Sequence, residues 1–431
     1  MNERGSSVTV PGDKSISHRA LMVAALAPGR STIEGLPEAG DVRSTAAALV
    51  AMGVGIDWPE GSGRAVVAPP AEWPTASLRL DCGNSGTSAR LLGGLIAGLG
   101  LSARIDGDPS LRSRPMDRVV YPLQAMGARI SYAADHDRLP IDFDARASGG
   151  LRVLRYRSRI SSAQVKSALV LAALAEGVEF EMWEPGKSRD HTERLLAHFG
   201  VPLRFGTEDK GAHLRLESEG RSGLKPLDLR IPGDPSSAAF LLGAAMLGDR
   251  DLTVDDVLLN PTRTGFLDAL ERMGAEVEID VGEDRAGEPV GSVSVAPGRF
   301  HGVRIGADLI PGLVDEIPLL AVLAVHAVGV TEISGAAELR LKESDRLAAL
   351  AENLKAVGAS VEERADGLMI QGTPDLVPRG VVRTRGDHRI AMAFGALASI
   401  PGAEIVTDEP ECVAVSYPTF WDDCAAVSAS G

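Results

Sequence analysis

Cations in this chain stand where helices begin. Lys14 and Arg19 lie in Gly12-Asp13-Lys14-Ser15-Ile16-Ser17-His18-Arg19, which runs into the apolar stretch Ala20 to Ala27 and stops at Pro28-Gly29. The first N–H groups of a helix lack partners within it, and the aligned peptide dipoles leave partial positive charge there, so such an opening suits an anion. Lysine and arginine oppose that dipole unless an anion intervenes. Arg90, Lys166 and Arg389 stand in the same relation to later openings. Anion binding is the first chemistry these residues suggest, and proton transfer is the second. Asp315 and Glu316 precede an apolar helix. Leu341-Lys342-Glu343-Ser344-Asp345-Arg346 opens another, with Lys342 and Arg346 four apart and expected on one helix face. Carboxylates placed where positive charge collects have shifted pKa values and serve as acids or bases.

The openings recur six times, at Gly12, Gly83, Ser161, Gly233, Leu313 and Gly386, each leading into an apolar helix, a glycine and a short β-like run. The glycines, Gly29, Gly100, Gly177, Gly248, Gly329 and Gly402, are 71 to 81 residues apart, each where a helix would end on a left-handed residue. Strands are expected after them, over Ser31 to Ile33, Ala103 to Ile105, Val178 to Phe180, Leu252 to Val254, Thr331 to Ile333 and Glu404 to Val406. A second signature is interleaved: Leu123 to Ile130, Leu270 to Val277 and Leu354 to Val361 share one helix–Gly-Ala–strand form, with looser copies around Gly53 and Gly200. Six units of about 75 residues divide into two lobes of three. Pro226, Pro232 and Pro235 mark a break near Leu227 to Asp234, and a first strand over Ser7 to Val10 is assigned to the second lobe. The expected lobes are 13–230 and 1–12 plus 231–431, joined by two crossing segments that make a hinge. Openings that project alike would converge on a cleft between lobes.

Bulk properties exclude other classes. With 431 residues, 44% hydrophobic and 24% charged, the chain has the composition of an ordinary globular protein with two cores. The longest apolar runs, such as Ile317 to Val330, fall short of the roughly 18 residues a membrane span needs, and the start of the chain lacks the order of a signal peptide, so a cytoplasmic location is expected. Net charge of -15 opposes nucleic-acid binding. Neither Cys82, Cys412 and Cys424 nor His18, His191 and His388 have metal-ligand spacing, and no metal is expected.

Single motifs are ambiguous. Gly83-Asn84-Ser85-Gly86-Thr87 is a donor-rich loop where Gly86 lets backbone approach a bound group closely, and it is equally an ordinary turn. Arg114, held by Pro115 on the loop Asp108 to Met116, is placed to reach the cleft, although loop arginines are more often solvated. The opening Gly233-Asp234-Pro235-Ser236-Ser237 is read as simple capping. Cys82 is read as a small apolar filler.

Taken in order, the runs beginning at Gly12, Asn84, Ser113, Ser161, Ser188, Val314, Leu341 and Asp387, and the Val415 to Trp421 segment, resemble the 5-enolpyruvylshikimate-3-phosphate synthase family over essentially the whole chain. The fold this implies is α/β (α+β), a two-lobed inside-out α/β barrel with three βαβαββ repeats in each lobe. The implied activity is transfer of the enolpyruvyl group of phosphoenolpyruvate to the 5-hydroxyl of shikimate 3-phosphate. Phosphate leaves through a tetrahedral intermediate, and no metal or organic cofactor is required. Carried over by residue, Lys14, Ser15, Arg19, Ser162, Ala163, Gln164, Arg189, Asp315 and Lys342 match shikimate 3-phosphate contacts. Lys14, Gly86, Arg114, Gln164, Arg346 and Arg389 match phosphoenolpyruvate contacts. Asp315, Lys342, Glu343 and Lys14 match the proton-transfer groups, with Lys14 and Glu343 as candidates for protonating carbon and Asp315 for accepting the hydroxyl proton. The resemblance also implies a monomer and inhibition by glyphosate.

The chain departs from the family pattern at Val415, where many members carry lysine, and at Glu338, where many carry asparagine. Gly86 keeps the glycine form of a position where alanine crowds glyphosate in some relatives. Two rivals share the architecture. The enolpyruvyl transferase acting on UDP-N-acetylglucosamine usually has a cysteine on the loop matching Asp108 to Arg114, and none occurs here. RNA 3'-phosphate cyclase is disfavoured by the acidic net charge and the missing nucleotide-binding motif.

Overall fold

The computed structural model describes residues 7–145, 149–208, 211–217 and 220–429. Six apolar helices carry its cores: α1 (Lys14–Leu26), α2 (Gly86–Leu99), α3 (Ala163–Glu176), α4 (Pro235–Leu247), α5 (Ile317–Val325) and α6 (His388–Leu397). They are apolar nearly all round, so they are buried nearly all round, and every residue of α4 and α5 is buried. Short polar residues start five of them. Asp13, Ser85, Ser162, Asp234 and Asp387 each accept a hydrogen bond from a backbone N–H in the first turn of the helix that follows. The fifth differs: a helical turn, Ile310–Leu313, runs through Val314 to Glu316, and α5 has no side-chain cap.

Among the described residues five four-stranded sheets share one topology, a parallel pair followed by two antiparallel pairings. In one repeat Leu78–Asp81 runs parallel to Ala103–Asp106 across α2; the helix Asp117–Met126 follows, and Ile130–Tyr132 and Ile141–Phe143 close the sheet antiparallel. That is a βαβαββ unit. The sixth is a correction to the expected pattern. Among the described residues its sheet has only the parallel pair Arg379–Val382 and Glu404–Thr407, and the helix Phe420–Ala429 comes where the closing strands stand elsewhere.

The parallel partner of Ser31–Glu34 is Asp228–Arg230, and that of Leu252–Leu258 is Ser7–Thr9. Chain segments distant in sequence thus close each set of repeats. The chain forms two compact units, Asp13–Ile231 with Arg285–Glu288, and Met1–Gly12 with Pro232–Asp284 and Pro289–Gly431. The sequence places 231 and 285–288 with the latter. Ile231 instead donates its N–H to Glu34 O at 2.8 Å, Glu288 pairs with His191 at 2.8 Å and Arg194 donates to Gly287 O at 2.8 Å.

Within the first unit, α2 and α3 approach backbone to backbone. A Cβ on Gly94 would lie 2.0 Å from Ala168 O, and one on Gly98 2.5 Å from Ala172 O. The glycine endings are partly as expected. Gly100 and Gly177 end α2 and α3 with φ of 68° and 84°. Gly248 has φ -83°, and Asp249 takes the left-handed conformation instead, while Arg250 N reaches back to Ala245 O. The strand expected at Val178 starts at Phe180, because Val178 N is used in capping Ala173 O. All five glycines of the second signature, Gly53, Gly127, Gly200, Gly274 and Gly358, have positive φ. Among the described residues no helix is long and apolar enough to cross a membrane.

Candidate functional site

In the Asp13–Ile231 unit the opening of α1 is built as a cationic end. Asp13 caps it through Ile16 N at 2.7 Å, and Lys14 at its first position pairs with Asp41, 2.8 Å away, on the helix Gly40–Ala51. One turn on, the buried Arg19 guanidinium donates to Ser15 O at 2.7 Å, to Thr192 Oγ1 at 2.7 Å and to Ser167 Oγ at 2.9 Å. Burial pushes Arg19 down to about 10, opposed by Glu193 and Asp13 and reinforced by Arg189, so it remains charged at neutral pH. His18 is buried between them, hydrogen-bonded to Thr45 at 2.7 Å. Burial, then Lys14 and Arg19, hold it well below its ordinary value, and it is neutral.

At the start of α2, Gly86 is bracketed by guanidinium groups. A Cβ there would sit 2.6 Å from Arg90 Nη1 and 3.3 Å from Arg114 Nη1. Arg114 is buried, donating to Asn84 Oδ1 and to Ser110 Oγ at 3.2 Å. Arg90 donates to Pro115 O at 2.9 Å and to Gln164 Oε1 at 3.0 Å, and Gln164 in turn donates to Thr87 at 3.0 Å. Ser162 and Ala163 form the α3 start beside it. Arg189 is half-buried and close enough to Arg19 to lower its pKa. One unit therefore gathers Lys14, Ser15, Arg19, Gly86, Arg114, Ser162, Ala163, Gln164 and Arg189. The arrangement suits an oxyanion: several fixed donors, buried cations and helix starts.

The other unit gathers the carboxylates. Asp315 Oδ1 lies 3.6 Å from Arg346 Nη1, 3.6 Å from Arg389 Nε and 3.9 Å from Lys342 Nζ. Arg389 also donates to Asp315 O at 3.1 Å. Arg346 is 1% exposed, donating to Asp387 Oδ2 at 2.8 Å and to Glu343 Oε2 at 2.6 Å. Burial works against its charge, but Asp387, Glu343 and Asp315 outweigh that and raise its pKa. Lys342 and Arg346 do not share a helix face, contrary to the sequence reading. Lys342 is extended, and the helix starts at Arg346 with Asp345 as its cap. Both still reach the same Asp315 carboxylate.

Three features were not anticipated. Arg90 joins Gly86 to Gln164; its place at a helix opening was the available signal. Asp41 and Asp387 hold Lys14 and Arg346, and nothing in local sequence marks them as partners. The α4 opening is more than a cap: Arg263 donates to Asp234 at 3.2 Å and Ser236 at 2.9 Å, and Ser236 donates to the buried Glu316. Cys82, by contrast, is the filler the sequence suggests: it is buried, and its thiol is pushed up to about 12 by burial first and then by Asp81, which does not suit a nucleophile.

Known proteins share this chain at length. The family model for EPSP synthase (3-phosphoshikimate 1-carboxyvinyltransferase) matches residues 3–424. A 3-phosphoshikimate 1-carboxyvinyltransferase of Thermus thermophilus is 49% identical over 425 residues, covering 97% of this chain and 96% of that protein. One of Salinibacter ruber is 42% identical over 432 residues, covering 98% and 97%. The solved EPSP synthase of Acinetobacter baumannii superposes with a TM-score of 0.82 at 36% identity, covering 98% of this chain and 95% of that one. Matched end to end by the family model and by these relatives, the chain belongs to the EPSP synthase (3-phosphoshikimate 1-carboxyvinyltransferase) family.

Proposed function

We propose that the chain transfers the enolpyruvyl group of phosphoenolpyruvate to the 5-hydroxyl of shikimate 3-phosphate and releases phosphate, a step of aromatic amino acid biosynthesis. The observation that carries the reading is one carboxylate, Asp315, set among Lys342, Arg346 and Arg389, with Glu343 on the same Arg346. An anion-binding scaffold has use for the cations and none for the acids.

Lys14, Ser15, Arg19, Ser162, Ala163, Gln164 and Arg189 bind shikimate 3-phosphate, joined by Asp315 and Lys342. Lys14, Gly86, Arg114, Gln164, Arg346 and Arg389 bind phosphoenolpyruvate. Arginine forks suit phosphate and carboxylate because they donate two parallel hydrogen bonds from a charge that is always present. Glu343 or Lys14 delivers a proton to the methylene carbon of phosphoenolpyruvate, leaving a cation-like centre at the neighbouring carbon. The shikimate 5-hydroxyl oxygen attacks it as Asp315 takes the hydroxyl proton. The tetrahedral adduct then expels phosphate, and loss of a methyl proton restores the vinyl group. We read the enzyme as a cytoplasmic monomer, open to test by sedimentation, and as sensitive to glyphosate.

Phosphate release from phosphoenolpyruvate tests the reading. It is expected with shikimate 3-phosphate, and release only with UDP-N-acetylglucosamine would overturn it. Asp315→Asn and Glu343→Gln are each expected to lower kcat about a hundredfold or more, the usual worth of a positioned acid or base. A folded Asp315→Asn protein with unaltered kcat would remove Asp315 from its role.

A further inference from the structure

Lys166 has no part in the chemistry above, yet it is one of the most enclosed cations in the chain. Its ammonium lies 3.0 Å from Glu184 Oε2 and 2.7 Å from Glu193 Oε1, with side-chain exposures of 4%, 2% and 3%. Charges this deep give up their hydration, so a cluster of them is a poor source of stability. Its connections give it another use. Glu184 accepts the backbone N–H of Ser162 at 2.8 Å and the Ser188 hydroxyl at 2.8 and 3.0 Å. Ser162 is the cap of α3, and Ser188 precedes Arg189.

Glu193 leads to the third segment. It follows Thr192, whose hydroxyl accepts from Arg19 Nε at 2.7 Å and shares a 2.6 Å hydrogen bond with Ser167, the neighbour of Lys166. Ser167 also accepts from Arg19 Nη2 at 2.9 Å. Burial raises the Glu193 carboxyl, against the pull of Lys166; burial also works against the Lys166 charge, but Glu193 and Glu184 outweigh it and raise its pKa. Asp190 pairs with Lys187 at 2.9 Å and with Arg194 at 2.9 Å, and besides the two glutamates Lys166 donates to Ser188 O at 3.5 Å. Every segment assigned to the shikimate phosphate in this unit, at Arg19, at Ser162 and at Arg189, is tied to this cluster.

We infer that Lys166, Glu184 and Glu193 form a positioning cluster for shikimate 3-phosphate: Glu184 fixes the Ser162 turn and the Ser188-Arg189 segment, and Lys166 cancels the charge Glu184 would otherwise present to the incoming phosphate. The inference rests on the substrate assignment made above. Among the described residues Ser162 Oγ accepts a long 3.5 Å bond from Val165 N and donates none, so its hydroxyl proton is available to an oxyanion once the turn is held. Without Lys166, a carboxylate bound to that turn would oppose the phosphate.

The test is titration calorimetry of shikimate 3-phosphate and steady-state KM for both substrates in Lys166→Met, Glu184→Gln and the double variant, with folding checked by circular dichroism. Lys166→Met is expected to weaken shikimate 3-phosphate about tenfold or more while the KM for phosphoenolpyruvate stays within about twofold. Glu184→Gln weakens it less. The double variant binds no worse than Glu184→Gln alone, because the harm in Lys166→Met comes from an uncompensated Glu184. Equal losses for both substrates, additive losses in the double variant, or unchanged binding in the folded variants would overturn the inference. If Lys166→Met does not fold, unchanged shikimate 3-phosphate binding in Glu184→Gln overturns it, and a selective loss there supports it. An unaltered protein that binds no shikimate 3-phosphate would overturn the substrate assignment, and this inference with it.

Discussion

Gly86 leaves room for two guanidinium groups, and its missing side chain is the reason. A methyl group there would press 2.6 Å from Arg90 Nη1 and 3.3 Å from Arg114 Nη1, so these flexible ends would have to shift. Arg90 also holds Gln164, so the displacement reaches α3. Gly86→Ala is expected to raise the KM for phosphoenolpyruvate and to raise the glyphosate inhibition constant by a larger factor, about tenfold or more. Inhibition kinetics against phosphoenolpyruvate measure both, and unaltered inhibition would refute competition at this position.

Helix packing places these residues. The starts of α2 and α3 carry Gly86 and Ser162, and the distance between the two helices is set by glycines further along. At Gly94 a Cβ would lie 2.0 Å from a backbone oxygen, which unlike a side chain cannot turn away. Gly94→Ala gains helix propensity but forces the helices apart. The overpacking term dominates and a loss of about 2 kcal/mol or more is expected in urea denaturation. Because α2 would shift as a body, the variant should also bind phosphoenolpyruvate more weakly. The α5 opening shows the same dependence in another form. Leu313 to Glu316 continue a helical turn instead of starting from a cap, with Val314 and Glu316, on either side of Asp315, both in the αR conformation. Asp315 then meets the arginines, and Glu316 meets Ser236.

Stability of the whole molecule carries the mark of a buried histidine. His18 has a folded pKa well below the ordinary 6.5, through burial first and then Lys14 and Arg19. Above pH 6.5 it is neutral folded or unfolded and adds no slope. Below that value the unfolded chain takes up a proton that the folded chain refuses, so stability falls with acidification, by at most about 1.4 kcal/mol per pH unit, until the depressed pKa is reached. His18→Asn is expected to flatten the fall between about pH 5 and 6.5 in urea-denaturation profiles. An unchanged slope would show that His18 is not the titrating group. The net charge of -15 makes the contrast sharper at the level of the molecule, since cations are concentrated locally while the total charge would repel anionic substrates.

Much of this was legible in sequence order. The repeat was readable because local rules determine it: polar caps, apolar helices and left-handed glycines recur in each unit, and most of them formed as expected. The site residues were readable as a set because cations at helix openings contradict the dipole and so require a reason. The corrections fall where one local rule outbids another, or where an expected strand does not form. Lys342 left the helix because Asp345 capped it later, Gly248 yielded its conformation to Asp249, and the sixth sheet lacks its closing strands. The pairings Lys14 with Asp41, Arg346 with Asp387 and Lys166 with two glutamates belong to the tertiary structure alone, because each joins residues that local preference leaves indifferent to one another. A chain sequence specifies which groups can carry charge; only packing decides which of them lose their water together and must therefore be paired.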